Sequence, residues 1–129
     1  MVARMERGSG ERCAALCVAR PRTVQFCKDV LDEVLALFPS KQIHVGGDEV
    51  FYEQWQACAE MVAHKNQLGC KQWEDVQIAF ANDIADFLSA ANPRFWPNDM
   101  MRADMKTHLD QTLSEAANEL AGNFAASVA

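Results

Sequence analysis

The sequence predicts an α/β fold that is mostly helical, with one central strand and an extra C-terminal helix. Three observations predict it. Apolar residues recur at helical spacing in several long stripes; Gln42 to Gly47 alternates as a strand does; and a turn of only three residues feeds the first stripe into that strand. Residues 1–20 contain Gly8-Ser9-Gly10 and read as a flexible N-terminal loop. From Thr23, read as an N-cap, the residues Val24, Cys27, Val30, Leu31, Val34, Leu35 and Phe38 keep a helical period until Pro39 stops it, which predicts an amphipathic helix with one buried face. After Pro39-Ser40-Lys41, Ile43 and Val45 alternate with Gln42 and His44, and Gly46-Gly47 lets the backbone turn or approach a ligand with no Cβ in the way.

Gln54 to Asn66 reads as a shorter helix with Ala57, Met61 and Val62 inward, ending near Gly69. Trp73, Val76, Phe80, Ile84, Phe87 and Leu88 mark a third stripe of about four turns, read as core. Asn98, just after Pro97, reads as the cap of a last helix, with Met101, Met105, Leu109, Leu113, Ala116, Leu120 and Phe124 spaced mainly by four. That stripe needs a cover: it packs over the other helices, or it is a dimerisation or docking helix that makes a homo-oligomer. Met100, Met101 and Met105 read as gap-filling core rather than a cofactor box.

Composition narrows the function classes. At 50% hydrophobic and 23% charged, the 129 residues have the balance of a globular domain. The net charge of −6 conceals an asymmetry: residues 1–22 hold five Arg against Glu6 and Glu11, and the remainder is strongly acidic. An acidic body repels phosphates, and spread arginines are weak ground for binding nucleic acid, so no nucleic-acid partner is expected. No apolar run approaches the ~20 residues that span a bilayer, and Ala14 to Ala19 is too short for a signal-peptide core, so neither a membrane partner nor a leader is expected. Five cysteines are an odd number, leaving at least one unpaired in any compartment. Cys58, His64 and Cys70 lack a C-x-x-C pair and match no zinc spacing, so no metal is expected, and no motif calls for a cofactor.

Chemistry concentrates at Asp48 and Glu49, adjacent acids at the end of the expected strand. Two neighbouring carboxylates push each other's titrations apart, so that one can be protonated while the other is charged. Consecutive residues project in different directions and do not face each other across a scissile bond as the carboxyls of most glycosidases do. A Gly-Gly-Asp-Glu run alone is also compatible with a solvated turn.

The run His44-Val45-Gly46-Gly47-Asp48-Glu49 resembles the H-x-G-G-D-E signature of glycoside hydrolase family 20, the β-N-acetylhexosaminidases, which are (β/α)8-barrel enzymes. Upstream, Leu16-Cys17, Thr23-Val24-Gln25-Phe26 and Val30-Leu31-Asp32-Glu33-Val34 leading into Leu37-Phe38-Pro39 are similar to the family's helix before that strand. Downstream, Val50 and Trp55 fall where the family carries a valine and a tryptophan, and Gly69 to Leu88 is similar to the next barrel helix. The resemblance covers residues 16 to about 90. It divides the chain into the flexible segment 1–20, a partial catalytic domain 21–92, and a helical tail 93–129 unlike the family pattern. Full barrels take about 250 residues, so a fragment of a TIM barrel is expected, incomplete or inactive by itself.

The resemblance implies substrate-assisted, retaining removal of terminal N-acetylglucosamine or N-acetylgalactosamine from glycans. Glu49 is implied as the general acid and then the base. Asp48 is implied to orient the 2-acetamido group, whose carbonyl oxygen attacks the anomeric carbon. Trp55 is implied as a sugar-stacking residue, with packing the alternative, and His44 as a support of the strand end beside the sugar site. Relatives of this kind are often secreted, periplasmic or lysosomal. A reading from another class is a non-catalytic helical interaction or dimerisation module that retains a relic motif. A third is a chain that does not fold stably in isolation, because a lone strand leaves its N–H and C=O groups unpaired.

Overall fold

The computed structural model describes residues 4–6, 12–47 and 50–127. Among these residues two strands and six helices follow one another: β1 (Arg4–Glu6), β2 (Arg12–Leu16), α1 (Pro21–Leu37), α2 (Tyr52–Gln56), α3 (Ala59–Gln67), α4 (Trp73–Ala91), α5 (Asn98–Leu120) and α6 (Phe124–Ser127). The described residues are therefore mostly helical with little strand, and they form no barrel. The chain divides into two compact units, Met1–Phe80 and Ala81–Ala129, with the boundary inside α4.

Two expectations about strands are corrected. Residues 42–47 form no regular element. A strand exists only by exchanging hydrogen bonds with a neighbour, and among the described residues the one sheet consists of β1 and β2 paired with each other. The segment is wired locally instead: Gln42 N–H donates to Ser40 Oγ at 3.1 Å and Ser40 N–H to the Phe38 carbonyl at 2.7 Å. Conversely, part of 1–20, read as loop, is an antiparallel pair in which Arg4 faces Leu16 and Glu6 faces Arg12.

The first unit is organised around Trp55, Met61 and Val76 with Ala15, Cys17 and Val18 from the end of β2; Val50, Tyr52, Cys58, Trp73 and Phe80 pack against them half-buried. Trp55 is 2% exposed, and its indole N–H donates to the Leu16 carbonyl at 3.0 Å, so a buried donor meets the last carbonyl of β2. Ala15 N–H donates to Gln54 Oε1 at 2.9 Å one position away, giving β2 a second tie to α2. The expected helix 54–66 is two helices, broken at Ala57-Cys58. α3 closes with Gly69 N–H on the Asn66 carbonyl and Cys70 N–H on the Lys65 carbonyl, the paired bonds that satisfy a helix C-terminus. α4 opens with Asp75 Oδ2 accepting from the Gln72 and Lys71 N–H groups at 2.9 and 3.0 Å, which holds the Asp75 carboxyl below its usual range.

α1 begins two residues earlier than the reading from Thr23. Pro21 occupies its first turn, where a missing N–H costs nothing, and the helix stops at Leu37 because Phe38 precedes Pro39 and turns extended. Thr23 is thus not a cap but the buried residue of the helix, its hydroxyl without a hydrogen-bond partner among the described residues. The expected buried apolar face is only half covered: Val24, Cys27, Leu31, Val34 and Leu35 are half-buried, while Phe26, Val30 and Leu37 are exposed.

In the second unit, Ile84, Ala85 and Leu88 of α4 are buried, as are Trp96 and, on α5, Met101 and Leu109. Asn98 is the first residue of α5, with Pro97 in the cap position, and its side-chain amide donates to Asp86 Oδ1 at 2.6 Å. Arg102 grips the same carboxylate through Nε at 3.0 Å and through its terminal nitrogen, at 2.7 Å to each oxygen. The apolar stripe of α5 is covered only toward its start: Leu113 is exposed, Leu120 is 92% exposed and Phe124 is exposed. Among the described residues no helix is long and apolar enough to cross a membrane.

Met61 is wholly buried, so Met61→Ala is expected to lower the unfolding free energy by about 2–4 kcal/mol in urea titrations. Leu120→Ala, at a site with almost no cover, is expected to stay within about 0.5 kcal/mol.

Candidate active site

The acid pair singled out by sequence, Asp48 and Glu49, lies outside the described residues. The residues on either side are described, and the fold holds both flanks. On the N-terminal side, the turn at Gly46-Gly47 has φ of +64° and +95°, a left-handed backbone that a side chain would strain. A Cβ added to either glycine meets nothing within 4 Å among the described residues, so their requirement is conformational rather than steric. His44 is exposed, and its Nδ1 accepts from Gly46 N–H at 3.1 Å, so the imidazole braces the turn that precedes the acids.

On the C-terminal side, Val50 is half-buried against the core of the first unit, and Tyr52 opens α2. The two flanks share one anchor. Gln77, on α4 and 6% exposed, donates its amide N–H to the Gly47 carbonyl and accepts the Tyr52 hydroxyl proton on its Oε1. A buried amide of this kind is costly unless both ends are satisfied, and here one end holds the residue before the acids and the other holds a residue shortly after them. Burial, and next Glu74, push the Tyr52 phenol up to about 12, so it stays a neutral donor across the physiological range.

Trp55 belongs to the core rather than to the open side of this segment. Its ring lies 5.8 Å from Tyr52 and 6.1 Å from Trp73 in tilted arrangements, and Lys65 Nζ sits 5.4 Å over the Trp73 ring. Gln77 is the residue that sequence reasoning missed. It sits beside Val76 in an apolar stripe where a single glutamine reads as an exposed position, and only the fold reveals that its neighbours are a loop carbonyl and a phenol. As for metal donors, Cys58 is grouped with Cys17 and Glu60 rather than with His64 and Cys70.

Comparison with known proteins gives consistent relatives. The model of the catalytic domain of glycosyl hydrolase family 20 matches residues 2–124, a longer span than the motifs mark out. A β-hexosaminidase of Porphyromonas gingivalis is 34% identical over 78 residues, covering 60% of this chain and 10% of the relative. One from Akkermansia muciniphila is 28% identical over 90 residues, 68% of this chain and 18% of the relative. One from Vibrio furnissii is 36% identical over 69 residues, 51% of this chain and 11% of the relative. The chain thus spans between a tenth and a fifth of the length of these curated relatives. No solved structure matches.

Gln77→Leu removes both hydrogen bonds while keeping the volume, and is expected to cost about 1–3 kcal/mol of stability. Amide exchange in residues 44–52 is expected to speed up in that variant, and unchanged exchange there would show that Gln77 does not hold the flanks.

Proposed function

We propose, for a chain that belongs to glycosyl hydrolase family 20, that it carries the acid–base segment of a β-N-acetylhexosaminidase and is a fragment of that family's (β/α)8 barrel. The substrates of this reading are glycans ending in β-linked N-acetylglucosamine or N-acetylgalactosamine. Glu49 protonates the departing glycosidic oxygen and then activates water. Asp48 orients the 2-acetamido group and stabilises the positive charge that develops as its carbonyl oxygen attacks the anomeric carbon. The anomeric configuration is retained because two displacements occur at that carbon, and no side chain serves as nucleophile.

The observation that carries the proposal is His44-Val45-Gly46-Gly47-Asp48-Glu49 inside a family match that runs from residue 2 to 124. The anchoring of both flanks by Gln77 supports it, since catalysis by a positioned acid depends on the backbone that holds it. His44 acts by bracing the turn. Trp55, with its indole buried, supports α2 from within; for it to stack on sugar its ring would first have to be uncovered.

One observation favours a second reading, a helical interaction module that forms homo-oligomers through α5 and α6. Leu113, Leu120 and Phe124 continue the stripe begun by Met101 yet are exposed. Under it, Leu113→Asp and Leu120→Asp lower the mass measured by light scattering on a sizing column, and an unchanged mass in both dismisses it.

Release of the chromophore from an aryl N-acetyl-β-D-glucosaminide tests the first reading. A barrel fragment is expected to release little by itself, and whatever release the unmodified chain gives above background is expected to fall by about 10²-fold in Glu49→Gln. Equal release by the two forms, both above background, would remove Glu49 from the chemistry.

A further inference from the structure

Cys17 follows the last residue of β2, and Cys58 occupies the break between α2 and α3. Cys17 is wholly buried and Cys58 half-buried, and both are free thiols. Their Sγ atoms and a carboxylate oxygen of Glu60 all lie within 4.8 Å of one another. The backbones carrying them are already tied together: Trp55 Nε1 donates to the Leu16 carbonyl at 3.0 Å, Cys58 N–H to the Trp55 carbonyl at 3.1 Å, and Ala19 N–H to Met61 Sδ at 3.4 Å. With both frames fixed, side-chain torsions are what must change to close the gap to a disulfide bond of about 2.05 Å.

The geometry points to Cys17 and Cys58 as a dithiol that closes to an intrachain disulfide, with a low-molecular-weight disulfide such as oxidised glutathione as the oxidant. Cys58, the more accessible thiol, attacks first as its thiolate. One thiolate of the oxidant leaves and takes up the proton that Cys58 released, and Cys58 is left as a mixed disulfide. Cys17 then attacks the Cys58 sulfur, and the second thiolate departs with the proton of Cys17. Two protein thiols are thereby oxidised by two electrons, and one small disulfide is reduced to two thiols.

Glu60 is placed to orient the Cys17 thiol. Cys17 Sγ donates to Glu60 Oε2 at 3.6 Å, and the side chain of Glu60 is half-exposed to solvent. Arg20 grips that carboxylate through Nε at 2.6 Å and a terminal nitrogen at 3.0 Å, which keeps it charged and fixed in place. Cys17 is the less accessible of the two, and burial, and next Cys58 and Glu60, push its thiol up to about 11, so the oxidant meets Cys58 first and Cys17 acts in the second step. The same arrangement disfavours a cation, because the guanidinium already occupies the carboxylate that a metal would need. The closed loop would contain α1 and the whole His44 to Glu49 segment, so oxidation would staple the two ends of the chain that carries the acid pair.

The experiment is peptide mapping of the full 129-residue chain after exposure to oxidised glutathione with a chelator present. Tryptic peptides 13–22 and 42–65 are expected to be joined. The link should persist in Cys13→Ser and vanish in Cys17→Ser. Oxidation should also raise Tm by about 10 °C, reversed by a thiol reductant. A link that disappears in Cys13→Ser, or a glutathione adduct on Cys58 that never resolves, would overturn the proposal. Stoichiometric zinc binding by the reduced unmodified chain, lost in Cys58→Ser, would overturn it in favour of a metal site.

Discussion

The first unit depends on giving the buried indole of Trp55 an acceptor. A tryptophan buried to this degree contributes a large apolar area, but its N–H must be satisfied or much of that gain is lost. The Leu16 carbonyl satisfies it and in doing so seats the end of β2 on α2. Cys17 and Val18 follow directly into the core, and Met61 fills the space between them and α3. The hairpin and the two short helices, none of which has enough apolar surface to persist alone, are stable only in this combination.

The same constraint organises the segment that bears the acids. Trp55 fixes α2, α2 presents Tyr52, and Tyr52 together with Gln77 of α4 fixes the Gly47 carbonyl. Polar groups buried in that chain of contacts are fully used, which gives the segment a defined entry and exit while its glycines remain open to solvent. The half-covered face of α1 and the bare end of α5 are the converse: apolar surface that the described residues do not bury.

Much of the helical content was legible because periodicity is a local property. The stripe Trp73 to Leu88 became α4, its start held by Asp75, and the stripe from Met101 became α5, which starts at Asn98 with Pro97 rather than Asn98 in the cap position. Strand 42–47 was legible as alternation and yet is no strand, since alternation describes which side chains could face a core but cannot supply a hydrogen-bonding neighbour. The hairpin of β1 and β2 failed in the other direction. Gly8-Ser9-Gly10 carried the local signal of a loop, while the bonds that fix β2, from Gln54 and Trp55, come from 39 residues away in sequence.

The sequence by itself determined the family, the position of the acid pair and the long helices α1, α4 and α5, because motifs and stripes are written in neighbouring residues. Only the tertiary structure decided that Trp55 points into a core, that Gln77 clasps both flanks of the acids, and that Cys17 and Cys58 share one pocket with Glu60. Each of these is a meeting of residues separated by 25 to 43 positions, and no local pattern encodes which distant partner a buried polar group or thiol will find.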